Sequence, residues 1–224
     1  MSGGIELRVY LPLPDLGRQF AAYLGTPLRA RGYPPIEGDH ALIVEVAPGL
    51  AIERIIDLAL KSVPEVEPGI HFVERQFGVL EVHASDPALV ERAGDAILAG
   101  IDARPEDALR PRVLYVDVIE DVTDQHAVII NRNREASMLL PGQTLLVVEV
   151  TPALFAAFAA NAAERVAPDL TLVTVSMIGA AGRVYLAGAT PDIVRARDEM
   201  TRLLEGVRGR EHPASQGRGD TGRR

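Results

Sequence analysis

The chain repeats itself. Gly38-Asp39-His40-Ala41-Leu42-Ile43-Val44-Glu45-Val46-Ala47-Pro48 returns as Gly142-Gln143-Thr144-Leu145-Leu146-Val147-Val148-Glu149-Val150-Thr151-Pro152, 104 positions later in a chain of 224 residues. Carried forward without a gap, the offset sets Ala59 on Ala163, Lys61 on Arg165, Pro64 on Pro168, Gly78 on Gly182 and Pro87 on Pro191. Carried backward, it sets Arg8-Val9 on Arg112-Val113. A repeat of this length confines the fold to two like domains in tandem. We place them at 1–104 and 105–207, with Pro105 and Pro111 in the joint. Residues 208–224 are polar, Gly- and Arg-rich and without apolar period, and read as a disordered basic tail.

Each copy has the same local rhythm. Residues 7–11 and 113–119 read as strands, and 42–46 and 145–150 are nearly continuous apolar runs, as buried strands require. Pro48 and Pro152 suit a first helical turn, where proline lacks only a donor that is free there anyway. In the helix that follows, Leu50, Ile52, Ile55, Ile56, Ala59 and Leu60 share one face, and Glu53, Arg54, Asp57 and Lys61 occupy much of the other. Strands at 71–75 and 79–83 pair across a turn at Gly78, with equivalents near 174–178 and 183–187. A last helix follows Asp86-Pro87 and Thr190-Pro191. Residues 25–38 and 131–142 read as loops. Strands alternating with helices in so small a domain predict an α/β (α+β) fold, a sheet with helices on one face.

Composition narrows the function. The hydrophobic fraction is 47% but the aromatic fraction only 4%, with no Trp, so platforms for stacking bases or sugars are scarce. Zero Cys removes disulfides, thiolate catalysis and cysteine-ligated metals. The net charge is −8, and the stretch 208–224 holds five Arg against Glu211 and Asp220, so the rest carries −11. An acidic body is a poor nucleic-acid binder, because phosphate affinity rests on clustered Lys and Arg. Neither a basic segment leading into an apolar run nor a stretch near the roughly 20 apolar residues of a membrane span occurs. The expectation is a cytoplasmic protein without nucleic-acid or membrane partners.

The common catalytic signatures are missing: no dinucleotide fingerprint, phosphate loop, zinc helix or serine elbow. Gly179-Ala180-Ala181-Gly182 precedes a strand, so it reads as a tight hairpin rather than a phosphate cradle. His71 and His83 face a hairpin, but no local carboxylate pair completes a metal site, and ordinary strand-face histidines are the plainer reading. The run Val73-Glu74-Arg75-Gln76-Phe77-Gly78 sets opposite charges side by side at a strand end, where the second copy has the uncharged Met177-Ile178-Gly179-Ala180-Ala181-Gly182. On spacing alone this is an exposed hairpin end, or a loop with a task in only one copy.

The segment 41–52, leading into Asp57-Leu58-Ala59-Leu60-Lys61, resembles the bacterial microcompartment (BMC) domain. There a strand ending in Glu-x-x-Gly precedes a helix ending in Ala-x-x-Lys-Ala. Glu45 and Lys61 fall on the matching positions, as does Glu149, whereas Ala153 departs from the Gly and Arg165 replaces the Lys. The strand that usually closes the domain stands before this motif, so the order resembles the circularly permuted form, and two copies in one chain resemble the tandem-domain shell proteins. The runs 73–78 and 124–132 look most like the gated carboxysome member. The resemblance implies a ferredoxin-like BMC fold, a trimer that mimics a hexagon, and edge-to-edge assembly with hexameric shell tiles. It also implies two trimers able to stack, and a gated axial pore for metabolites. It makes Glu74, Arg75 and Gln76 the pore and gate residues and Lys61 and Arg165 the tile-edge contacts, with no catalytic residue, metal or cofactor. The rival expectation is a regulatory module binding a small molecule at subunit interfaces; an enzyme ranks third, because no nucleophile, base and orienter assemble from adjacent motif residues.

Overall fold

The computed structural model describes residues 4–26, 32–74 and 76–212; of Glu74 it describes the backbone alone. The first copy runs β1 (Glu6–Leu13), α1 (Arg18–Leu24), β2 (His40–Ala47), α2 (Ile52–Ser62), β3 (Glu67–Glu74), β4 (Phe77–Ala84) and α3 (Pro87–Gly100). The second runs β5 (Arg112–Ile119), α4 (Asp124–Arg132), β6 (Thr144–Thr151), α5 (Phe155–Val166), β7 (Thr171–Ser176), β8 (Gly182–Gly188) and α6 (Thr190–Gly206). Each copy folds into one four-stranded antiparallel sheet, in the order β1-β2-β4-β3 and β5-β6-β8-β7.

The continuous apolar run of β2 exists because both faces of its sheet are covered. Leu42, Val44 and Val46 join Leu80 and Val82 beneath Ile52, Ile55 and Ala59 of α2 and Val90, Ala93 and Ile97 of α3. The alternate residues Ala41 and Ile43 join Val9, Leu11, Leu13 and Val79 against Phe20, Tyr23 and Leu24 of α1. The expectation of helices on one face is therefore corrected: α1 lies across the other face. Three local readings also change. A short 3-10 turn, Gly49–Ala51, separates Pro48 from α2. Asp86 does cap α3, accepting from the Ala88 amide, but α6 starts on Thr190 itself, whose hydroxyl instead meets that of Thr144 at 2.7 Å. His71 lies opposite Leu80 and His83 opposite Glu67, which puts the two histidines on opposite faces of the sheet.

The repeat register shifts by two. Val46 pairs with Leu7, and its equivalent Val150 pairs with Val113, so β1 maps onto β5 at an offset of 106, not 104. The segment between α4 and β6 is shorter than its counterpart, and the 104 offset holds from Gly32 and Ala136 onward, whose amides bond the equivalent Gly69 and Val173 carbonyls. Arg8 therefore corresponds to Leu114, not Arg112. Residues 208–212, read from sequence as tail, pack on the joint between the copies. The Arg210 amide and carbonyl bond Ala108 and Arg110 at 2.8 and 3.0 Å, and its guanidinium pairs with Glu6. Residues 213–224 lie outside the described residues.

Candidate functional site

The two copies meet through α1. Its first turn has no side-chain cap of its own, since Gly17 stands there. The second copy supplies one. Glu164 of α5 accepts from the amides of Gln19 and Phe20 at 2.7 and 3.0 Å, and Asn161 accepts from the Gly17 amide at 2.8 Å. A carboxylate at a helix N-terminus satisfies free donors and complements the dipole. Gln19 then clamps the start of β7, donating to the Leu170 carbonyl at 2.6 Å and accepting from the Leu172 amide at 2.9 Å. The Tyr23 hydroxyl bonds the Val175 carbonyl. One apolar cluster runs through this seam, joining Val9, Leu11 and Phe20 to Leu154, Phe155, Ala159 and Val175.

The corresponding surface is open at each end of the chain. Tyr115 is 53% exposed where its equivalent Val9 is 0%, and Ile129 is 60% exposed where Tyr23 is 1%. On the receiving side, Leu50 is 75% exposed where Leu154 is 1%, and Val73 is 41% exposed where Met177 is 2%. Each pair holds a large apolar residue buried by the internal seam in one copy and bare in the other. The small cluster behind β6, with Val122, Ala127, Leu139 and Leu145, is what remains where the first copy has a fused core.

The hairpin ends of the two copies lie together. A cavity of about 470 Å3 is lined by Glu45, Phe72, Gln76, Phe77 and Val79 from the first copy and Met177, Ile178, Gly179 and Ala180 from the second. Gly78 fixes the hairpin against the helix entry: a Cβ there would fall 2.2 Å from the Gly49 carbonyl oxygen, and one on Gly182 2.0 Å from that of Ala153. Arg8 holds Glu45 at 2.8 Å while its guanidinium lies 3.6 Å over the Phe77 ring. In the second copy Glu149 is held by Arg183 of β8 instead, at 2.8 Å. Of the expected gate residues, Gln76 is exposed and lines the cavity, Glu74 ends β3 with its backbone opposite Phe77, and Arg75 lies outside the described residues.

Lys61 and Arg165 occupy equivalent last turns of α2 and α5. Lys61 is exposed and pairs with Asp57 at 2.7 Å. Arg165 reaches across the internal seam to the Pro14 carbonyl at 3.4 Å. Sequence reading missed Gln19, Tyr23, Asn161 and Glu164; the trace available was Gln19 matching Gln125 and Ala21 matching Ala127, visible only at the offset of 106. It also missed a buried pair on β4. Glu81 is fully buried with its carboxylate 3.0 Å from His83, and burial pushes its pKa up despite that partner. For His83, burial pulls the pKa down, but the hydrogen bond and charge of Glu81 outweigh it and the net shift is upward. Among the described residues, no three His, Asp or Glu side chains are grouped to hold a metal ion. No helix among them is long and apolar enough to cross a membrane.

Known proteins share this architecture. The family model for the CsoS1D N-terminal domain matches residues 7–107. The chain is 41% identical to the carboxysome shell protein CcmP of Synechococcus elongatus, over 96% of this chain and 99% of that protein. Among solved structures, it is similar to a double-ringed trimeric shell protein of the RMM microcompartment, at 65% identity and a TM-score of 0.89, covering 93% of this chain and 100% of the other. It is also similar to a fused permuted hexameric shell protein of the same compartment, at 43% identity and a TM-score of 0.85, covering 91% and 100%.

Proposed function

The chain belongs to the family of microcompartment shell proteins that includes CcmP, and from that premise we propose that three copies close into a flat pseudohexagonal tile around a gated pore. The observation that carries the tile is the set of residues buried at the internal seam whose equivalents are bare. A contact between unlike faces of identical chains repeats head to tail, so it closes into a ring or runs on as a filament. The similar RMM protein is trimeric. In such a ring the α4 and β5 face of one chain covers α2 and β3 of the next, repeating the internal seam. Gln125 then takes the place of Gln19 against the Val66 carbonyl, but its second bond is lost, because Pro68 stands where Leu172 offers an amide.

The pore reading follows from the hairpin ends. On a threefold axis every pore residue occurs three times, so three Arg75 side chains converge. Two unit charges about 6 Å apart repel by roughly 3 kcal/mol at an effective dielectric near 20, and about 0.7 kcal/mol in water. Closure therefore needs Glu74 to neutralise the ring or Arg75 to swing away, and the two arrangements form a switch. Gln76, at the mouth of the cavity, supplies a neutral partner for either state. Lys61 and Arg165, cations at helix C-termini, serve the edge contacts with neighbouring tiles, and metabolites of the enclosed pathway cross the pore.

Light scattering on the purified protein tests the tile: a mass of three chains, or a multiple of three, supports it, and a stable monomer overturns it. Cryo-EM maps test the gate. Glu74 and Arg75 exchanging places near the axis supports the switch; both far from the axis in every state removes it.

A further inference from the structure

Strand β1 carries one residue more than β2 can pair. Leu7 lies opposite Val46 and Val9 opposite Glu45, which leaves Arg8 between them as a bulge. The joint between the copies holds the bulge, since the Leu109 amide donates to the Arg8 carbonyl at 2.9 Å. The Arg8 side chain is turned onto Glu45 at 2.8 Å and over the Phe77 ring at 3.6 Å. Both charges are largely withdrawn from water, with 18% and 10% of their side-chain surface left exposed. A guanidinium suits this place because its flat fork can pair with a carboxylate and stack on a ring at once.

The clamp belongs to one copy. Strand β5 bulges at the same point, but the extra residue is Leu114, 42% exposed, and the counterpart of Phe77 is Ala181. Glu149 is held instead by Arg183, its direct cross-strand neighbour on β8. The bulge is therefore common to both copies, and the grip on the hairpin is confined to the copy whose hairpin is charged. What the clamp holds is a wall. Gln76 and Phe77 line the cavity between the two hairpins, and they also line a second hollow with Arg8, Gly49, Leu50 and Val73. Leu50 and Val73 belong to the open seam, so the hairpin end stands between a hollow at the internal seam and one at the seam to the next chain. Glu45 lines the first hollow and Arg8 the second, so their ion pair crosses the wall.

We infer that Arg8 is a positioning residue for the pore loop: by tying Phe77 to Glu45 it fixes where the hairpin end, and Gln76 with it, stands between the two hollows. The inference rests on the reading of this hairpin as the pore loop. Without the guanidinium the Phe77 ring loses its hold on β2, and the hairpin end opens locally while the sheet beneath, packed on both faces, keeps its register.

Hydrogen exchange on the full chain tests this, with Arg8→Leu, Arg8→Lys and, as the matching change in the second copy, Arg183→Leu. Arg8→Leu should speed exchange at Gln76 and Phe77 by about 10-fold or more, with residues 42–46 and the mass by light scattering unchanged. Arg8→Lys keeps the charge and should restore part of the protection, and Arg183→Leu should leave Gln76 and Phe77 as in the native protein. Cryo-EM maps of Arg8→Leu should show the Phe77 ring spread over several positions where the native map shows one. Native protection at Gln76 and Phe77 in Arg8→Leu overturns the assignment, as does a rise shared equally by 42–46, which makes Arg8 a plain stabiliser of the sheet. If Arg8→Leu fails to fold, Glu45→Gln, which keeps the shape and removes the charge, is read in its place. Failure of the Glu74 and Arg75 switch shows instead in the native maps and leaves this exchange contrast standing.

Discussion

Helices α1 and α4 occupy the same place in the two copies and have opposite surroundings. Helix α1 starts at Gly17, which caps nothing, and takes its N-terminal acceptor from Glu164 in the other copy. Helix α4 starts at Thr123, whose hydroxyl accepts from the His126 amide at 3.4 Å, and carries Asp124 in its first turn. The counterpart of Glu164 is Leu60, so the carboxylate that holds the Gln19 and Phe20 amides of α1 has no equivalent for α4. A helix whose partner is tethered in the same chain can leave its cap to that partner, because the effective concentration is always high. A helix that waits for another chain must hold its own end first.

The comparison breaks most visibly at the open seam. Tyr115→Asp/Ile129→Asp places unpaired charges in the contact between chains and should cost about 3 kcal/mol or more per seam, reducing the tile to folded monomers. Light scattering with circular dichroism reads the result; a surviving trimer would mean that this face is not the seam. Next in size is Glu164→Ala, which strands the Gln19 and Phe20 amides and should lower the unfolding free energy by about 1–3 kcal/mol in urea titration. No loss there would show that α1 does not depend on the other copy for its cap. Thr123→Ala should cost about 1 kcal/mol, seen as faster amide exchange confined to α4. Equal acceleration at α1 and α4, or no change at either, would erase the contrast.

The smallest effect separates the two sheets rather than the two helices. Glu81 and His83 have Tyr185 and Ala187 as their counterparts, so only the first copy holds a buried titrating pair, with Asp39 and Glu67 the charges nearest to it. Both pKa values are raised on folding, so the folded chain holds these protons more tightly than the unfolded one. Their contribution is present on the acid side and is lost as pH rises from the unfolded carboxylate value through the folded values of the pair. Glu81→Gln should therefore flatten the fall in melting temperature as pH rises above the unfolded carboxylate range. An identical slope in both proteins would remove the pair as its cause.

Much of this was legible in the chain. The strands of the sheet centre, β2 and β6, are recognisable as apolar runs that cannot face water, and the hairpin at Gly78 and the cap at Asp86 follow from turn and helix-end chemistry. Helices α1 and α4 were not legible, because seven and nine residues hold too little period to stand apart from a loop. The two-residue difference between the loops also hid their kinship. Of the gate, sequence singled out Glu74-Arg75 as charged in one copy alone; that Gln76 shares a cavity with Ile178 and Gly179 appears only when the two hairpins are set side by side.

Sequence by itself determined two like α/β domains, the succession of their strands and main helices along the chain and many of the residues that must turn inward, since periodicity and turn chemistry act over a few residues. Only the tertiary structure decided what covers each apolar face. Gln19 meets Leu170 and Leu172 across 151 and 153 positions, and no local pattern marks such a pair. The same separation decides why Tyr23 is buried and Ile129 is not: the first has its partner within the chain, and the second is left facing outward at the chain's other seam.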